Sequence, residues 1–337
     1  MQWGIGLGKA LDSRQVPRAA VRAEELGYDE AWISNERFHR DMFVVMGAAA
    51  ALTRSLRLGT FVADPFTVHP AVTAAAIATV DSLSEGRAIL GLGAGGTGFS
   101  QIGLRPRRPV ASMSTALDAV KGLLRGERVT ADDAHFEMHD AVLELSPAGD
   151  VPVVLASQSP KMLALGGRAA DQVMISTFAD PRLFGLAVGW AGDGAADAGR
   201  ELDVAEQVIA RIDVAIDDDL DRARDALRPL IGYLLVLLHP NWFFLDTLEL
   251  RLPDELHEIA RNRDFVGMRA RLGLIPEELI EAFGWVGGPT RVAEQIGRLL
   301  ELGVRRVVVL PHSPDGDPIP TMEAFASRVM PLVERSL

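Results

Sequence analysis

The chain is 337 residues long, with a formal charge of −12, 48% hydrophobic and 24% charged residues, and no cysteine. That length suits one large domain or two ordinary ones, and the lack of cysteine excludes disulfides, thiolate catalysis, Fe–S clusters and Cys-zinc sites. The acidic charge argues against nucleic acid as a partner; without a run of ~18 uninterrupted apolar residues or a basic, apolar leader in "MQWGIGLGKALDSRQ", no membrane partner is expected and a cytoplasmic location is.

Short apolar runs then alternate with amphipathic stretches. "WGIGLG" (3–8) reads as a strand, followed by a helix from Ser13 to Leu26 with Asp12 or Ser13 as N-cap and Gly27 just past its end. "DEAWIS" (29–34) is the second strand, and a helix from Met42 to Thr53 leads to the third, "LRLGTFV" (56–62). A helix from Ala71 to Leu83 leads to "RAILGLGAG" (87–95), and another lies near 112–125. "HFEMHDAVLEL" (135–145) alternates with period two and marks an added hairpin at about 130–146. "VPVVLAS" (151–157), a helix from Lys161 to Ala170, "DQVMIS" (171–176), a helix around 181–199 and "QVIARIDVAI" (207–216) follow. A helical insertion at about 218–285 contains "RPLIGYLLVLLHPNWFF", apolar on most faces: a buried helix, with a lid or subunit interface as the other reading. A helix from Arg291 to Leu302 precedes the last strand, "RRVVVLP" (305–311).

Eight strands, seven followed directly by a helix, require long crossovers and hence a parallel sheet. Over this length they predict a single (β/α)8 TIM barrel spanning 1–337, with a doubly wound open sheet as the competing architecture. In a barrel the chemistry sits just beyond the strands, so the residues to inspect are Gly8-Lys9, Ser34 to Arg37, Val62 to Asp64, Gly93 to Gly98, Ser157 to Ser159, Ser176-Thr177 and Pro311 to Ser313. Small and hydroxylic side chains dominate there, which suits a large ligand lying close to backbone.

"GLGAGG" (91–96) matches G-x-G-x-x-G, but it follows the fourth strand and "TGFSQIGLRPRRP" delays the next helix, so backbone approach to another ligand is the better reading than a dinucleotide turn. In "ASQSPKML" (156–163), Pro160 stands where a helix opens; the corner is either a plain Ser159 N-cap or a phosphate cradle. Glu36 is a mouth-lining candidate, whereas Arg37 reads as solvated. His39 is an open candidate, and His69 before Pro70 fixes a helix entry. His135 and His139 lie in the hairpin, and no HExxH or G-x-S-x-G occurs, so no metal is expected.

The run 31–95, from "AWISNERFHR" through "LRLGTFVADPFTVHP" to "AILGLGAG", resembles the bacterial-luciferase-like flavin-dependent oxidoreductases. It is most similar to their coenzyme F420-dependent, methylenetetrahydromethanopterin reductase-like branch. "VPVVLASQSPKMLALGGRAADQVMIS" (151–176) and "GWVGGPTRVAEQIGRLLELGV" (284–304) extend the resemblance over nearly the whole chain. It implies a hydride-transferring enzyme for a small organic substrate, a homodimer, and F420 as cofactor, with FMN and a monooxygenase, or a non-catalytic cofactor-binding protein, as alternatives. It also implies a bulge ending strand three at Phe61, Val62 and Ala63, with Asp64 beside it and a cis Phe61–Val62 bond. Cofactor contacts are implied at Gly93, Ala94, Gly95 and Thr177, and phosphate contacts at Ala156, Ser157, Gln158, Ser159 and Pro160. Glu36, with Asn35 and His39, stands where relatives place catalytic groups. Acids of the pterin reductases read here as Gly6 and Gly96, which argues against that pterin as substrate.

Overall fold

A computed structural model describes residues 1–95 and 98–336. The strands are β1 (Gln2–Leu7), β2 (Glu30–Ser34), β3 (Arg57–Phe61), β4 (Ala88–Leu92), the hairpin strands β5 (Val129–Asp132) and β6 (Glu137–Ala141), β7 (Val153–Ser157), β8 (Gln172–Ser176), β9 (Val208–Ile216), β10 (Gly284–Gly287) and β11 (Arg306–His312). The principal helices between them begin with α1 (Gln15–Glu25), α2 (Met42–Leu52), α3 (Pro70–Leu83), α4 (Pro109–Leu124), α5 (Pro160–Ala169) and α6 (Pro181–Asp197). The order β9-β11-β1-β2-β3-β4-β7-β8 returns to β9, so eight strands close the parallel barrel expected from the sequence. β5 and β6 form a separate antiparallel pair. β10 was not expected: "GWVG" adds a short parallel strand beside the end of β9, pairing Gly284 with Asp213 and Gly287 with Ile216.

By contacts the chain forms two compact units. The first comprises Met1–Ser176, Ala187–Ala210 and Val304–Val308; the second comprises Thr177–Leu186, Arg211–Gly303 and Val309–Leu337.

In the first unit β2 and β4 are buried throughout, as strands covered on both faces must be. Trp32, Ile89, Val154, Met174, Ile209 and Val308 pack into one core. The indole of Trp32 fits because its neighbours are bare: a Cβ at Gly59 would lie 2.5 Å from its ring, and one at Gly4 would lie 2.7 Å from Val308. Below it, Glu30 accepts from Trp32 Nε1 at 2.9 Å and pairs with the buried Arg306. Helix entries follow local chemistry. Asp12 Oδ1 accepts from the amides of Arg14 and Gln15 ahead of α1, and the His69 ring accepts from the Ala71 amide with Pro70 opening α3.

The second unit is built on the helix Leu220–Leu238, which Asp219 caps through the amides of Asp221 and Arg222. Ala223, Leu227, Ile231, Leu234 and Leu235 are buried at helical spacing, so the apolar run is a core-facing helix. Phe178, Phe243, Phe244 and Phe283 stack edge to face nearby. Among the described residues no helix is long and apolar enough to cross a membrane.

Candidate active site

The end of β3 is where the ladder changes. β3 pairs with β4 at Gly59–Ile89, and pairing resumes at Ala63–Leu92. Four steps on one strand against three on the other is a bulge of one residue. Thr60 Oγ1 fills the break by accepting from the Gly91 amide and donating to its carbonyl, both at 2.8 Å. The Phe61–Val62 bond is cis, at the expected position. Asn35 holds the bulge from β2: its amide N–H donates to the Phe61 carbonyl at 2.9 Å, and Nδ2 donates to the Val62 carbonyl at 3.1 Å. Its side chain is thus spent on backbone.

β4 opposite is bare by necessity. A Cβ at Gly91 would lie 2.1 Å from the Thr60 carbonyl oxygen; one at Gly93 would lie 2.7 Å from Val62 and 3.1 Å from the Ala156 carbonyl. Gly95, at φ +70°, would meet Arg37 at 2.7 Å. Phe61, Val62, Ala63, Gly93 and Ala156 therefore come together at the ends of β3, β4 and β7, where backbone predominates. Ala94 lies within this loop, while Gly96 lies outside the described residues.

Asp64, 2% exposed, is fully used. Oδ1 accepts from the amides of Phe66 (3.0 Å) and Thr67 (2.8 Å), and Oδ2 accepts from Thr67 Oγ1 (2.9 Å) and Arg37 Nη2 (2.6 Å). This corrects the solvated reading of Arg37: its guanidinium is paired with a buried carboxylate and lies 3.9 Å over the Phe99 ring. Glu36 is half-buried, and its carboxylate hydrogen-bonds to no described residue. The adjoining Arg40 is buried, its Nη2 donating to the carbonyls of Leu7 (2.9 Å) and Gly8 (3.1 Å). Burial lowers the Arg40 pKa, and the Glu36 charge opposes that shift. His39 is exposed, with Nδ1 3.2 Å from Arg40 Nη1.

At the end of β7, Ser157 Oγ accepts from the Ser159 amide, and Ser159 Oγ caps α5 on the Met162 amide with Pro160 at the first helical position. Gln158 stands between them, half-buried. In the second unit Thr177 has φ +68° and donates its amide N–H to the Arg211 carbonyl at 2.8 Å. Of the remaining histidines, His69 bonds the Glu137 carbonyl oxygen and His139 is exposed; no group of three or more metal-ligating side chains occurs among the described residues. Sequence reasoning passed over Arg40 and the buried pair Arg211 and Asp213, and it named His312 only as one of the residues beyond the last strand. The available signal was "ARIDV", which places two opposite charges on alternate positions of a core strand.

The sequence profile of the luciferase-like monooxygenase family matches residues 3–306. The 5,10-methylenetetrahydromethanopterin reductase of Archaeoglobus fulgidus is 31% identical over 321 residues, covering 94% of this chain and 95% of that protein. An F420-dependent glucose-6-phosphate dehydrogenase of Nocardia farcinica is 28% identical over 336 residues, covering 94% and 93%. Among solved structures, the coenzyme F420-dependent tetrahydromethanopterin reductase of Methanopyrus kandleri superposes with a TM-score of 0.85 at 28% identity over 98% of both chains. A closed barrel with a bulged third strand, and a profile match that reaches from the first strand into the last, lead to one conclusion: the chain belongs to the luciferase-like monooxygenase family.

Proposed function

We propose that the protein is a coenzyme F420-dependent oxidoreductase acting by hydride transfer on a small organic substrate. The observation that carries this reading is the bare cradle formed by the β3 bulge and the glycines after β4, in a chain whose relatives are F420-dependent reductases and dehydrogenases. When bound, the deazaflavin supplies two-electron hydride chemistry. Phe61, Val62 and Ala63 back the ring, and Gly93, Ala94 and Gly95 lie along it. Asp64 fixes the loop and holds Arg37 at its rim. Ala156 to Pro160 receive the phosphate-bearing tail. Glu36 faces the substrate as an acid or base. The family name carries the alternative, an FMN-dependent monooxygenase.

The same reading includes a homodimer. Its support is the apolar outer surface of α2 and α3, where Val44 (72%), Leu52 (58%), Val72 (58%) and Leu83 (54%) are exposed.

Titration of the purified apoprotein with F420 and with FMN, followed by fluorescence, tests the cofactor. Saturable F420 binding that FMN does not displace is expected; FMN preference would replace hydride transfer with oxygen chemistry.

A further inference from the structure

The second unit holds a cavity of about 280 Å³, and all of its lining residues belong to that unit. The wall is built from the entry to α6 at Asp180 and Arg182, from Leu248 and Leu250, and from the helix Glu277–Phe283. Trp285 of β10 and the helix Pro289–Leu300, which supplies Gln295 and Arg298, complete it. None of these residues has a part in the cofactor or substrate contacts proposed above.

Two buried side chains of this wall carry N–H groups that bond to nothing described. Trp285 is 0% exposed, and its Nε1–H reaches neither a described acceptor nor solvent, an arrangement that costs free energy as it stands. Gln295 is 8% exposed; its Oε1 accepts from the Val286 amide at 3.1 Å, which fixes the orientation of the side-chain amide. Its Nε2 then bonds to no described residue. The acceptors of the wall are already spent. Asp180 accepts from the amide and the guanidinium of Arg182, and Glu281 accepts from Arg224 and Arg291. Glu278 and Arg298 are exposed and have no described partner, so they place one charge of each sign at the rim. A packing gap between helices is lined by apolar or satisfied groups, whereas this one carries two unsatisfied donors.

We propose that this cavity is a binding site for an uncharged, largely apolar small molecule that presents a carbonyl oxygen, as an ester, a ketone or a tertiary amide does. Such an oxygen has two lone pairs, one for Gln295 Nε2 and one for Trp285 Nε1, the latter after a small rotation of the indole. Leu248, Leu250 and Ala282 face the rest of the molecule, and the volume suits one substituted ring. A charged ligand gains little here: the carboxylates of the wall are paired, and the opposite charges of Arg298 and Glu278 offset each other. A ligand N–H would find no free acceptor inside. The site is independent of the hydride-transfer reading, and its test needs no cofactor.

The test follows the Trp285 indole N–H by 1H–15N NMR of the full-length protein, the signal being assigned by its loss in Trp285→Phe. Titration with N,N-dimethylbenzamide is expected to move it saturably, with half-saturation at ~1 mM. Benzoate and toluene should bind at least ~5-fold more weakly, the first for its charge and the second for want of an acceptor. Benzoate binding as tightly overturns the uncharged class, and toluene binding as tightly overturns the hydrogen-bonded orientation. An indole signal that no probe moves overturns the site. In Trp285→Phe the Val286 amide becomes the reporter. Affinity for N,N-dimethylbenzamide is expected to fall ~5-fold while the thermal midpoint is kept or raised, because an unbonded buried donor is removed. Unchanged affinity overturns the role of the indole. A variant that unfolds overturns the reading of its N–H as unbonded, and the three-probe comparison on the wild type still decides the site.

Discussion

At the scale of single residues, the site is defined as much by missing side chains as by present ones. Gly93 is the clearest case, because a methyl there meets Val62 on one side and the Ala156 carbonyl on the other. Gly93→Ala is expected to weaken F420 binding at least ~10-fold and to cost ~1–3 kcal/mol through overpacking. Gly185→Ala, inside α6 where a Cβ meets nothing within 4 Å, should leave F420 binding unchanged and stabilise by ~0.5–1 kcal/mol. For Glu36, whose carboxylate no described neighbour restrains, Glu36→Gln is expected to lower kcat by ~10²-fold with F420 affinity retained; full turnover would remove it from the chemistry. The bulge residues could be named in advance through the family resemblance of the run 31–95, while Asp64-Pro65 and His69-Pro70 marked only a stiff corner beside them. It could not disclose that Arg37 is held, since the carboxylate that holds it lies 27 residues away in the chain.

At the scale of elements, α1 is tied to the start of β3 by one carboxylate. Glu24 Oε1 accepts from the amides of Arg54 (2.8 Å), Ser55 (2.7 Å) and Leu56 (2.9 Å), and from Ser55 Oγ (3.0 Å). Burial pushes its pKa up, but these donors outweigh it and bring it down to about 2. A depressed carboxylate contributes stability above its unfolded pKa and loses it as pH falls through the folded value, so the window here runs from about 4.5 down to about 2. The whole shift would convert to ~3 kcal/mol, and solvent screening at a partly exposed group reduces this to ~1–2 kcal/mol. Glu24→Gln should therefore destabilise by ~1–2 kcal/mol at pH 7, with the difference from wild type closing toward pH 2 in urea titrations. Element identity was largely legible, because period-two and period-3.6 patterns are local. β10 was missed since "GWVG" is too short to carry a period; its pairing with Asp213 to Ile216 makes it a strand.

At the scale of the whole molecule, β2 and β11 are joined inside the barrel by Glu30 and Arg306, both buried, with Arg57 at 3.8 Å. Removing one partner strands a charge, so Arg306→Met is expected to cost ~3–5 kcal/mol in urea unfolding. The proposed dimer predicts that Val44→Asp with Val72→Asp yields a monomer in sedimentation while the far-UV spectrum stays native. A monomeric wild type would end that part of the proposal.

What the sequence by itself determined is the barrel, its helix entries and the β3 corner, because hydrophobic period, Pro, Gly and capping residues act over a few neighbours. Only the tertiary structure decided which polar residues belong together. Arg37 with Asp64, Glu30 with Arg306, and His312 with Asp213 are separated by 27, 276 and 99 residues, and none carries a local signature. Burial removes water from each of them, and a charge without water must find its partner wherever the fold brings one.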